Sequence, residues 1–344
     1  MHMADALISP AAGGAFWAAS AGLVAYSCKK VSKEADDRKI PLMGVLGAFI
    51  FTVQMLNFTI PATGSSGHLG GGMILSILLG PYAAFLVMAS VLTVQALFFA
   101  DGGLLALGCN IFNLGFFPCF IAYPLIYKTI AGESSGKWRI TSGATLAGIV
   151  ALQLGAFSVV LQTLFSGISE LPFKTFVLLM QPIHLGIGIV EGAVTSAVVL
   201  FVIRIRPGIL DIRMTESSDW KGIRKVILAL LAAAIVSGGI LSWFASSKPD
   251  GLEWSMFKTS GKEELESSEK IHGTMSSLQG KTAILPDYGF KKTEQPQEED
   301  SNQENTARWP AVDAGTSVSG LIGGAMTLFL AGISGWALMK RRRM

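Results

Sequence analysis

Met1-His2-Met3 places a histidine second in the chain, and that position has a chemistry of its own. A free terminal amine, the amide nitrogen of His2 and the His2 imidazole can close two adjacent chelate rings on one ion, which gives three nitrogens in a plane. A fourth in-plane nitrogen completes a square-planar site, the geometry that marks Ni(II) or Cu(II) rather than Zn(II), Mg(II) or Ca(II). His68 is the best candidate for that corner. The reading requires Met1 to be the mature terminus. No basic segment with an apolar core and a small-residue cleavage site opens the chain, and the bulk of His2 guards an initiator Met against removal. Alone, a histidine at position 2 is ordinary, and a single loop histidine is more often structural. The pairing of the two on one side of a membrane gives the reading its weight.

Other polar residues fall where polarity is costly. Asn57 lies near the outer end of its span and, with Ser66 and Asp5, is a candidate to support the ligands. His184 and Glu191 are seven apart, on one helix face, and could form a proton or ion relay or satisfy neighbouring helices. His272 sits in a polar stretch and reads as exposed. Cys28, Cys109 and Cys119 lack metal-ligand or redox spacing and read as buried thiols. Gly280-Lys281-Thr282 lacks the upstream glycine of a phosphate-cradling loop, so the chain carries no ATPase motif. No nucleophile, base and orienting group occur together, and the reading is a non-enzyme without a resident cofactor.

The elements that must position these residues are membrane spans. The 344 residues are 51% hydrophobic and only 15% charged, too apolar for a soluble domain. The net charge of +3 is scattered among loops, which excludes a nucleic-acid surface. Apolar segments at 11–26, 41–58, three within 73–130 (the first short), 143–165 and 176–202 make about seven spans. Segments at 226–244 and 318–339 add two. The fold class is thus all-α, a polytopic membrane helix bundle. Basic runs at 29–39, 204–225 and 340–343 mark the cytoplasmic side and put the N-terminus, the His68 loop and the polar stretch 247–310 outside, with the C-terminus in the cytoplasm. Within that stretch, 293–308 is acidic and nearly free of apolar residues and reads as a flexible linker. Ala11, Ala15 and Ala19 form a small-residue stripe, read as internal packing ahead of a docking face for a partner.

Several spaced motifs then agree in order. Met1-His2-Met3-Ala4-Asp5-Ala6-Leu7-Ile8-Ser9-Pro10, the Asn57 to Gly72 segment, Ala100-Asp101-Gly102-Gly103 with Asn110, and Glu191-Gly192 with Thr195 resemble the CbiM/NikM substrate-binding membrane subunits of nickel and cobalt energy-coupling factor transporters. Pro249-Asp250-Gly251-Leu252-Glu253 and Pro286-Asp287-Tyr288 resemble the two-span accessory CbiN/NikN subunit, fused here to the first unit. The division expected is 1–205 for the metal-binding membrane unit, 206–225 for a cytoplasmic linker and 226–344 for the accessory unit. The resemblance implies ATP-driven uptake of Ni(II) or Co(II) into the cell across the cytoplasmic membrane. A transmembrane coupling subunit of the NikQ/CbiQ kind and cytoplasmic ATPases of the NikO/CbiO kind would be the partners. It implies metal ligation by Met1, His2 and His68. A deprotonated amide ligand makes affinity fall steeply as pH drops. The accessory unit's spans are expected to hold the first unit's outer loops ready for loading. The competing class is a proton-coupled metal permease that uses the His184 and Glu191 relay.

The terminal chelate predicts a simple contrast. Protein with a native terminus should bind one Ni(II) with a square-planar visible spectrum, and protein with a long tag ahead of Met1 should not. Equal binding by both would exclude the amine as a ligand.

Overall fold

In the computed structural model, which describes residues 2–34, 39–132, 136–169, 171–205, 220–262, 270–291 and 309–343, the apolar segments are helices. Up to residue 205 these are α1 (Pro10–Glu34), α2 (Lys39–Gln54), α3 (Gly72–Leu79), α4 (Pro81–Phe99), α5 (Leu107–Ala131), α6 (Lys137–Ser166) and α7 (Phe173–Ile205). Beyond it come α8 (Trp220–Gly239), α9 (Gly251–Ser260), α10 (Lys270–Thr282) and α11 (Ala314–Arg343). The strands among the described residues are Phe58–Thr59 and Ser66–Gly67, paired antiparallel. Six of the helices described, α4 to α8 and α11, are long and apolar enough to cross a membrane. The 16-residue α2 is apolar but shorter. The protein is a multi-pass membrane helix bundle, as its hydropathy requires. The acidic segment 293–308 and most of the linker 206–225 lie outside the described residues.

The helices meet where side chains are small. A Cβ at Gly188 or Gly192 of α7 would stand 2.8 Å and 2.3 Å from the Cα atoms of Ile149 and Thr145 on α6. The two backbones therefore touch, the packing that glycines four apart permit in a membrane. Gly238 of α8 and Gly320 of α11 cross in the same way, and both helices lie along α2, whose residues 42–54 are all buried. The α1 stripe behaves differently from its expectation. Ala11, Ala15 and Ala19 are exposed. The packed side of α1 carries Ser20, whose hydroxyl donates to Gly108 O at 2.6 Å, and Trp17, whose backbone leaves no room for a Cβ on Gly108.

The loop between α2 and α3 folds inward, and residues 65–72 are buried. Backbone at such depth must have its polar groups met by protein. Glu191 of α7 accepts from the Gly70 and Gly71 amides at 2.9 and 3.0 Å. The carboxyl therefore sits at the start of α3, where the helix leaves its first amides in need of an acceptor. Gly71, at φ +76°, supplies a left-handed turn that a side chain would resist. From the other side Gln54 donates to Gly70 O at 2.8 Å and is itself held by Gln95 at 2.9 Å.

Removing the Glu191 carboxylate strands two buried amides, each worth about 1–3 kcal/mol. Glu191→Ala should therefore lower thermal stability in detergent by a few kcal/mol, while Glu191→Gln, which keeps one acceptor, should lower it less. An unchanged melting temperature for Glu191→Ala would refute the clamp.

Candidate metal centre

The first residues after the terminus are bound as tightly as a sheet strand. The Met3 amide donates to Asn110 Oδ1 at 2.8 Å, and Met3 O accepts from Gly103 N at 2.9 Å and Asn110 Nδ2 at 3.2 Å. The Met3 side chain is fully buried, with its sulfur on Asn113. Such close approach needs the two glycines after Asp101. A Cβ on Gly103 would fall on the Asp5 carboxylate, and Gly102, at φ +79°, faces His2 Cβ and the Asn110 amide. Leu7 and Ile8 complete the plug.

This anchoring brings His2 beside His68. The two imidazoles stack with centroids 5.0 Å apart and planes 15° from parallel. His68 Nδ1 lies 3.0 Å from Leu69 O. A carbonyl only accepts, so Nδ1 carries the hydrogen and Nε2 keeps its lone pair. His2 Nδ1 lies 3.2 Å from Asp101 Oδ1, and His2 Nε2 is buried without a hydrogen-bond partner. Burial, helped by the positive chain terminus, pushes both imidazoles down to about 3, so they are neutral donors at physiological pH. Met1 itself lies outside the described residues. Among the described residues no three His, Cys, Asp or Glu side chains gather as a metal cage.

The polar stretch contradicts one expectation, the exposure of His272. His272 is buried and its Nε2 contacts Ile8 O at 2.9 Å. Gln279 donates to Ala96 O and Gly102 O, at 2.9 and 2.7 Å. Leu252, Met256 and Leu285 join the main apolar core. Asp250 begins α9 as a capping box: its carboxylate accepts from the amides of Leu252 and Glu253 at 2.7 and 2.9 Å, and Glu253 returns the bond to the Asp250 amide. Burial works against the Asp250 charge, but the positive terminus, the Glu253 amide and His68 hold its carboxyl well below the usual range. Glu253, buried beside that charge, rises to about 7. Tyr288 donates its hydroxyl to Asp101 Oδ2. Together these residues roof a cavity of about 780 Å³ floored by His2, Asp5, His68 and Asp101.

The three residues expected to support the ligands lie close to the site and make these bonds. Ser66 donates to Lys248 O at 2.7 Å and its amide to Pro249 O at 2.8 Å, which ties the His68 loop to the polar stretch. Asn57 O accepts from Ser246 N at 2.7 Å. Asp5 Oδ1 accepts from Ala106 N at 2.9 Å, and its buried Oδ2 has no hydrogen-bond partner. Asn57 and Asp5 also line the cavity. His184 and Glu191 do not bond each other: His184 Nδ1 lies 2.8 Å from Met180 O, and Glu191 serves the glycine amides. In the sequence Asp101 and Tyr288 stand only as parts of motifs, and nothing local marks them as neighbours of His2.

Comparison with known proteins agrees with this architecture. The family model described as "Cobalt uptake substrate-specific transmembrane region" (CbiM) matches residues 2–209, and the PDGLE domain model matches 224–340. A Haloquadratum walsbyi protein named for metal transport is 36% identical over 63% of this chain and 97% of its own length. The fused nickel transport protein NikMN of Rhodobacter capsulatus is 29% identical over 69% of this chain and 74% of its own. A crystal structure of a truncated transition metal transporter superposes with a TM-score of 0.53 at 29% identity, covering 59% of this chain and 99% of that one. Helix order, buried N-terminal segment and matched residues lead to one assignment: the chain belongs to the CbiM family of nickel and cobalt transport proteins and carries a PDGLE unit fused behind it.

Proposed function

We propose that this protein is the substrate-capture subunit of an ATP-driven energy-coupling factor importer. It takes Ni(II), or Co(II), from outside the cell in a nitrogen plane made by the Met1 amine, the His2 amide and Nδ1, and His68 Nε2. The observation that carries the reading is the juxtaposition of His2 and His68. Two imidazoles at adjacent corners of one ion, with metal–nitrogen bonds of about 2 Å, have centroids roughly 4–5 Å apart, and these rings stand 5.0 Å apart. The tautomer of His68 leaves Nε2 as the donor, and a cavity rich in carboxylates draws a cation toward it.

In this reading residues 1–205 hold the ion, 206–225 cross the cytoplasmic face, and 226–344 form the accessory unit whose outer stretch roofs the site. The termini lie outside and inside respectively, as the basic loops direct. The chain is a transport subunit and not an enzyme. Gly280-Lys281-Thr282 ends helix α10, where a phosphate loop would have to precede a helix, so the engine is a pair of separate ATPases. The exposed alanines of α1 offer the coupling subunit a face on which backbones can approach closely. The separation of His184 from Glu191 speaks against the permease alternative.

Three outcomes test the proposal. His68→Ala should weaken Ni(II) by more than the roughly 10–100-fold typical of losing a group behind a ligand, as read by titration with visible absorption. Both imidazoles stay neutral down to about pH 3, so acid releases the ion by returning protons to the amine and amide. Below the usual amine pKa of about 7.7, affinity should fall roughly 100-fold per pH unit, and a tenfold slope would rule out amide ligation. Truncation after residue 220 should slow Ni(II) uptake by cells several-fold; unchanged uptake would remove the accessory unit from loading.

A further inference from the structure

Asp101, in the turn after α4, carries a carboxylate whose two oxygens have different partners. Oδ1 lies 3.2 Å from His2 Nδ1, the ring nitrogen that can close a six-membered chelate through the His2 amide. Oδ2 accepts the hydroxyl of Tyr288, which comes from the far end of the chain. Two donor atoms 3.2 Å apart, each about 2 Å from one ion, subtend roughly 100°, an ordinary angle between neighbouring ligands. Oδ1 and Nδ1 can therefore share an ion where they stand. The other His2 nitrogen, Nε2, is buried without a hydrogen-bond partner, the side chain is only 6% exposed, and it borders the cavity. Nε2 is therefore open to take the ring hydrogen that Nδ1, facing the carboxylate, gives up when it binds the ion.

Resting on the reading above, we propose that Asp101 is the landing ligand of the site: an arriving divalent cation is first held between Asp101 Oδ1 and His2 Nδ1 before it enters the nitrogen plane. The chemistry requires such an anchor. An amide N–H does not ionise near neutral pH on its own; a bound cation beside it is what lets the proton go. A hydrated ion exchanges water for a carboxylate oxygen readily, because both are hard ligands. Once anchored, the ion takes the amine and the amide nitrogen as each loses one proton to solvent through the cavity. His68 completes the plane, and the carboxylate is left outside it. No electron moves, and the two protons released balance the dipositive ion.

Tyr288 sets the aim of this ligand. Its ring stacks on Phe99 at 5.2 Å and meets Phe51 edge-on at 6.1 Å. Asp287 and Tyr288 both have positive φ, 50° and 58°. Side-chain-bearing residues keep such backbone only where their surroundings impose it. By occupying Oδ2, the hydroxyl turns Oδ1 toward His2 and keeps the carboxylate to a single metal bond, so its hold is weak enough to be released. Through this hydroxyl the accessory unit reaches the landing ligand.

The test is stopped-flow mixing of Ni(II) with the full chain bearing its native terminus, followed by visible absorption. Asp101→Asn should slow the appearance of the square-planar spectrum by about 10–100-fold, the range for groups that act beside a metal ligand. It should slow release by a similar factor, so that Kd and the final spectrum barely change. Tyr288→Phe, which keeps the aromatic stack, should show the same pattern to a smaller degree and carries the test if Asp101→Asn does not fold. Formation at the wild-type rate in Asp101→Asn would overturn the landing role. So would a weakened Kd with accelerated release, the mark of a structural group, or an altered spectrum at saturation, the mark of a permanent ligand. If the unaltered protein gives no square-planar spectrum, the nitrogen plane itself falls and the landing role with it.

Discussion

Everything at the candidate metal centre depends on keeping the start of the chain still. Fixing backbone costs on the order of 1–2 kcal/mol per residue, and chain ends are ordinarily the least ordered part of a protein. Here the opposing terms are the fully buried Met3 side chain, the paired hydrogen bonds to Asn110 and Gly103, and the Leu7 and Ile8 plug. None of these groups is a ligand candidate. They fix the backbone at Met3, and with it the separation of the His2 and His68 rings.

The loop that bears His68 is held from three directions by chemically different means. Glu191 reaches up from α7 to the glycine amides, Gln54 and Gln95 brace a carbonyl from the side, and Ser66 is tied to Pro249 and Lys248 above. Each partner lies on a different element and satisfies a different backbone group. Because satisfying every buried polar group leaves few alternative arrangements, the network specifies one loop conformation. It also accounts for two intramembrane polar residues with the look of a transport relay: Glu191 is engaged by the glycine amides it supports, and His184 faces Met180 O instead of Glu191.

Much of this was legible in the sequence. Hydropathy and the basic loops give the helical spans because burial in lipid is decided locally, about twenty residues at a time. The special chemistry of a second-position histidine is readable because it concerns three consecutive residues. What could not be read is whatever depends on distant pairs. Tyr288 meets Asp101 across 187 positions, and His272 meets Ile8 across 264. No periodicity encodes either contact, and the polar composition around them resembles any solvated loop. The α1 stripe illustrates the converse: glycine and alanine every fourth residue announce close packing, yet only the three-dimensional arrangement says that Gly108 sits on the other face and leaves Ala11, Ala15 and Ala19 outside.

The roof over the cavity belongs to the same polypeptide as its floor. The contacts between them are several hydrogen bonds, Tyr288 to Asp101, Gln279 to Gly102 and Ser66 to Pro249 and Lys248 among them, each of the kind that contributes about a kcal/mol, beside the apolar packing of Leu252, Met256 and Leu285. Covalent linkage turns their meeting into an intramolecular event with an effective concentration in the millimolar range. Every copy made carries its roof in a one-to-one ratio, however sparsely it is scattered through the membrane.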